Sequence, residues 1–137
     1  MLRSGGALGV TVWSTGDRVP ALHALVAAML EFAEPDETGY LPTPYELGGP
    51  GEMVRFLLEA GFREAKENRV TELFHFKDED EYFKLLLDST PFGHSLSEED
   101  PEVQEKILRK ARGNLQAWKT RSGLTLPAEI VIVTAKK

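Results

Sequence analysis

The chain has 137 residues, with 16 Lys and Arg against 22 Asp and Glu, so its formal net charge is -6; it has no cysteine and three histidines. A chain of this length buries roughly 68% of its unfolded surface as one domain without help from disulfides, and with His23, His75 and His94 far apart in sequence it offers no thiol nucleophile and no usual tetrahedral zinc set. No Lys/Arg cluster marks a nucleic-acid partner, no apolar run reaches the roughly 18 residues of a membrane span, and residues 1–6 carry no secretory h-region, so the expected location is cytoplasmic.

Ala7, Leu8, Gly9, Val10, Thr11, Val12 and Trp13 form a short β-rich apolar run between Gly5-Gly6 and Ser14-Thr15-Gly16-Asp17, the pattern of a buried strand. Leu22, Leu25, Val26, Met29, Leu30 and Ala33 then recur at helical spacing behind Pro20, which predicts a helix over residues 19–33 with proline in its first turn. Its far side carries Ala24, Ala27 and Ala28 instead of charges, so the helix should be covered on most sides. Residues 34–49, with three prolines and three glycines, make the longest irregular connection, the kind of loop that often closes over a site.

Pro50 opens a second helix with Met53, Val54, Leu57 and Leu58 as its apolar stripe and Gly61 as its stop. An edge strand within residues 62–76 follows, β-rich from Val70 onward, with Val70, Phe74 and Phe76 sharing a face. Asp78 and Glu81 form a capping box for a third helix that turns Tyr82, Phe83, Leu86 and Leu87 inward. Residues 89–93 read as a break. A fourth helix, starting near Ser97 or Asp100-Pro101, carries Val103, Ile107, Ala111, Leu115 and Trp118. Ile130, Val131, Ile132 and Val133 make a last strand with both faces expected to be buried. The fold class is therefore α/β, with three strands and about four helices.

Three segments carry a resemblance. Leu2-Arg3-Ser4-Gly5-Gly6 before the first strand, Leu57-Leu58-Glu59-Ala60-Gly61-Phe62 before the second, and Leu126-Pro127-Ala128-Glu129-Ile130-Val131-Ile132-Val133 in the last resemble, in order and spacing, the C-terminal half of class I S-adenosylmethionine-dependent methyltransferases, most like the type 11, menaquinone-biosynthesis-like group. Ser4 stands where that family usually has proline. The resemblance implies a Rossmann-like half-domain spanning residues 1–137, in which the last strand inserts antiparallel and central between the first and second. It implies S-adenosylmethionine as the cofactor and a small molecule as the methyl acceptor. It also implies that the N-terminal cofactor-binding half is missing: the glycine cluster Gly5, Gly6 and Gly9 precedes a strand and cannot set a helix N-terminus on a ligand.

By the same resemblance the acceptor lies beyond the end of the first strand, where open α/β sheets bind ligands. Trp13 and Ser14 close that strand, Tyr40, Tyr45 and Phe92 stand in irregular segments able to line an apolar mouth, and His94 sits in a Gly-His-Ser turn where an imidazole could act as general base. These six are the candidate substrate-binding residues. No catalytic, cofactor-binding or metal residue is assigned, and a Ser14-based hydrolase triad lacks the nucleophile elbow. The apolar strand of residues 8–13 should leave an edge free for a homodimer or for a separate N-terminal half. The function expected is the acceptor-side portion of a methyltransferase, inactive alone; the alternative is a non-catalytic binding or assembly module derived from one.

Overall fold

The computed structural model describes residues 3–32 and 43–137. Ala7–Trp13 forms β1, and a 3-10 turn at Gly16–Arg18 leads into α1, Pro20–Phe32. Then come α2 (Glu52–Glu59), β2 (Arg63–Phe76), α3 (Glu79–Ser89), α4 (Pro91–Glu98), α5 (Pro101–Leu115), a 3-10 turn at Gln116–Trp118, the two-residue β3 (Lys119–Thr120) and β4 (Gly123–Lys136). The sheet order is β1-β4-β2, with β4 antiparallel to both neighbours and β3 paired to its start. The α/β class, the strand order and the antiparallel central last strand are those the sequence led us to expect.

The counts differ, for local reasons. β3 is only the return arm of the turn into β4. Residues 89–93 do not stay irregular: Thr90 accepts the Phe92 N–H at 3.3 Å and Pro91 occupies the first helical position, so the residues that end α3 also start α4. His94 is accordingly on a helix and not in a turn. The α3 cap is as expected, with Asp78 accepting from the Glu81 N–H at 2.9 Å, although the Glu81 carboxylate reaches back one residue further, to the Lys77 N–H at 2.6 Å.

β4 organises the molecule. Its even-numbered residues Leu124, Leu126 and Ala128 meet α1, α3 and α5 in one core, whereas Val131, Val133 and Ala135, of opposite parity, meet Met53 and Leu57 of α2 in a second. The buried side of the strand therefore switches between Ala128 and Val131, a consequence of side chains alternating along a strand. Val131 and Val133 are fully buried, but Ile130 and Ile132 are only partly so; the expectation that both faces would be sealed holds for one face only. Pro127 fits inside β4 because β1 ends opposite Ile130: the Glu129 carbonyl accepts from the Ser14 N–H at 3.0 Å, and two residues earlier the same edge has no partner strand to need a donor.

Covering of α1 is as its alanines suggested, with Ala21, Leu22, Ala24, Leu25, Val26 and Ala28 all buried. Two apolar residues are more exposed than their patterns implied. Leu58 is 49% exposed, since Met53 and Leu57 already take the one stripe an eight-residue helix can give the sheet. Phe74 is 38% exposed because β2 lies on the rim. β2 extends to Arg63 through the charged stretch, with an irregularity between Arg63 and Lys66 where Glu64 adopts φ 52°; an outer strand tolerates charges that a central one would not. No described helix is long and apolar enough to cross a membrane.

Candidate functional site

Trp13 ends β1 on the face that carries α1. Between that indole and the helices lies a cavity of about 550 Å³, within the size range of small-molecule sites. Leu22, Val26, Met29 and Leu30 of α1 form one wall. Thr90, Pro91, Phe92 and Ser95, at the start of α4, form the opposite one, and Thr43 and Pro44 reach in from the preceding loop. The α1 residues recur at i, i+4, i+7 and i+8, which the sequence reading took for core alone. In the fold they serve core and cavity together, because α1 has apolar side chains all round.

The loop is held by a polar cluster on the opposite face of the sheet. Ser14, the one fully buried polar residue among those described, donates to Glu129 Oε1 at 2.7 Å. Arg69 Nη1 donates to Ser14 Oγ at 2.9 Å and to Glu129 Oε1 at 3.1 Å, and its Nε donates to Glu67 Oε1 at 2.8 Å. Its Nη2 reaches the Gly48 carbonyl at 3.0 Å, while Glu67 Oε2 accepts the Gly51 N–H at 3.1 Å. Two strand residues thereby clamp both ends of the 48–51 turn. The Ser14 hydroxyl first, and the Arg69 guanidinium with it, hold the Glu129 carboxyl below its usual range. Sequence reasoning missed this cluster; its only signal was Glu67 and Arg69 at strand spacing, which reads equally well as a charged edge.

Of the six candidates, Trp13 and Phe92 line the cavity together. Ser14 does not line it and works in the clamp. Tyr45 packs edge-on against His23, ring centroids 5.7 Å apart, and burial pushes its phenol pKa up; it anchors the loop in the core. His94 projects from α4 with its side chain 80% exposed, 3.5 Å from Glu98, remote from a general base's role. Tyr40 lies outside the described residues. His75 is on the wet side of β2, as its alternation with Phe74 and Phe76 suggested, and shares a 3.0 Å hydrogen bond with Thr125.

A second cleft, about 390 Å³, is lined by charged residues of α3, α5 and β3. Its cations are occupied: Arg112 and Lys119 pair with Glu79 at 2.9 and 2.6 Å. Among the described residues no group of His, Asp and Glu could hold a metal ion.

The turn from β1 into α1 is not built as a glycine-rich loop for S-adenosylmethionine. The strand-to-helix connection in β1-α1 contains a single glycine, Gly16, and a Cβ there would strike the His23 ring, so that glycine serves helix packing. Two of the donors at this turn are used internally, Arg18 N–H to Thr15 O at 2.8 Å and Val19 N–H to Gly16 O at 3.1 Å, and Pro20 has none.

No protein-family model matches the chain, and no curated protein matches it in sequence. Among solved structures, one described as a putative methyltransferase from Bacillus halodurans C-125 is similar, with a TM-score of 0.45 and 16% identity, over 99% of this chain and 57% of that one. The chain thus spans less than two thirds of that protein's length.

Proposed function

We propose that this chain is the C-terminal, acceptor-side portion of a methyltransferase-type domain that moves a methyl group from S-adenosylmethionine to a small molecule, and that alone it transfers nothing. The observation that carries the reading is the sheet itself: β4 lies antiparallel between two mutually parallel strands, with Arg3-Ser4-Gly5-Gly6 and Ala60-Gly61-Phe62 at the entrances to the two outer strands. Methyl transfer is a displacement that depends on holding donor and acceptor in line. The residues of this chain would hold the acceptor, in the cavity beside Trp13. The donor site would be supplied by an N-terminal half whose strand seats on the outer edge of β1; in a homodimer a second copy would cover that edge without adding a donor site.

A second reading, a non-catalytic binding or assembly module derived from such an enzyme, is favoured by the cavity lining, which among the described residues contains no titratable side chain to act as acid or base. The deciding experiment isolates the tagged chain from its native cells with its bound partners and irradiates it with methyl-tritiated S-adenosylmethionine. Label on the complex and none on the isolated chain is the expected result. Label on the isolated chain overturns the claim that the cofactor site lies outside it, and no label on either leaves the binding module.

A further inference from the structure

We propose that the cavity beside Trp13 is specific for a neutral, largely hydrocarbon molecule with no more than one or two hydrogen-bond-accepting oxygens. That this molecule is the methyl acceptor rests on the reading above; that it binds does not.

The charge argument comes first. Charged residues are 28% of the chain, yet among the described residues the lining contains none. A charged ligand would surrender its hydration and meet no counter-charge from these residues. The N-terminus of α4 opens on the cavity and could in principle receive an anion, but its donors are engaged: Pro91 has no N–H, Phe92 donates to Thr90 Oγ1 at 3.3 Å, and Gly93 donates to the Thr90 carbonyl at 3.4 Å.

The three hydroxyls then set the polarity. Thr90 gives its proton to the Leu86 carbonyl and Ser95 gives its own to the Pro91 carbonyl, so neither has a proton left for a ligand. Thr43 Oγ1 accepts from the Tyr45 N–H at 3.4 Å and keeps its proton, with no acceptor among the described residues. This hydroxyl and the Trp13 indole N–H are the donors the described lining offers, so it suits a ligand with no more than one or two accepting oxygens. Trp13, Met29 and Phe92 supply the polarisable walls for the hydrocarbon body.

The test titrates the full chain with Nile red, a neutral apolar dye with one carbonyl, and with the anionic 1-anilinonaphthalene-8-sulfonate. Expected is saturable binding of one Nile red per chain with blue-shifted emission, and at least about tenfold weaker binding of the anion. Ser95→Trp, at an exposed position on the cavity rim, should weaken Nile red at least about tenfold, as should Met29→Glu, which places a charge inside. Leu85→Ser, at an exposed site on α3, should leave binding unchanged. Non-saturating binding, equal affinity for both dyes, or indifference to both cavity variants overturns the proposal. Dye binding that survives alongside failed labelling with S-adenosylmethionine would keep the ligand class and remove only the methyl-acceptor role.

Discussion

Ser14 Oγ donates a 2.7 Å hydrogen bond to Oε1 of Glu129, 115 positions further along the chain, and so ties the end of β1 to β4. The hydroxyl is fully buried and also accepts from Arg69. Ser14→Ala should therefore destabilise by about 1–3 kcal/mol, since it leaves charged partners under-satisfied inside the fold. Urea denaturation at pH 7 measures it; a loss below about 0.5 kcal/mol would count against the clamp.

The same pair predicts a pH signature. The Glu129 carboxyl is held below its ordinary 4.5, chiefly by the Ser14 hydroxyl. A depressed carboxyl contributes stability that is complete above its unfolded value and is lost as pH falls through its folded one. The stability gap between wild type and Ser14→Ala should thus be widest above about pH 4.5 and shrink below it. Glu79, lowered by its hydrogen bond from Lys119 and then by Arg112, should weaken both proteins alike over that acid range. A gap constant from pH 7 to pH 3 would show that Ser14 does not act through the ionised carboxylate.

Gly48 sits against the backbone of Trp13 and Ser14 so closely that an added Cβ would collide with the Trp13 carbonyl. Gly48→Ala should push the loop off β1, break the Arg69 contact to the Gly48 carbonyl, lower Tm by several degrees and weaken Nile red binding. Gly113→Ala, where a Cβ meets nothing within 4 Å, should raise Tm slightly, because alanine favours helix over glycine by about 1 kcal/mol. Equal melting of the two variants would refute the close approach.

The outer edge of β1 can be tested by parity. Ser14 donates its N–H to the Glu129 carbonyl and the Gly6 carbonyl accepts the Lys137 N–H, so Val10 and the other even-numbered residues of β1 point their N–H groups at β4, and Gly9, Thr11 and Trp13 point theirs away. Thr11→Pro should spare the sheet while blocking any strand that adds to the edge, whereas Val10→Pro should melt well below wild type. Sedimentation of Thr11→Pro should show the lone chain where wild type is associated. A Thr11→Pro chain that associates as wild type does would move the partner surface elsewhere.

The layout of the fold was legible where one physical signal dominated. A β-rich apolar run between turn residues marked β1, though its residues are half-buried or exposed where burial was expected; β-branching marked the end of β4, and the alanine-rich far side of α1 announced its burial. The capping box fixed the start of α3. What misled was chemistry that serves two ends: Thr90-Pro91 reads as a stop and is also a start, so α4 was missed and His94 was placed in a turn. Trp13 and Phe92 could be chosen for an apolar mouth because aromatics near a strand end and a helix break have few other places to go. Ser14, Glu67, Arg69 and Glu129 could not, because their meeting depends on the register of three strands, which no short-range pattern contains.

Each of the two outer strands has β4 as its only long neighbour among the described residues. During translation β1 emerges well over a hundred residues ahead of most of β4, so at about 5–20 residues per second it waits on the order of ten seconds unpaired. Through that interval an uncharged ribbon of alternating small and branched residues is open on both edges beside the ribosome. Rapid synthesis of the final fourteen-residue strand, or a chaperone that shields the first seven-residue one, would then decide how much of the chain reaches its sheet and how much aggregates on the way.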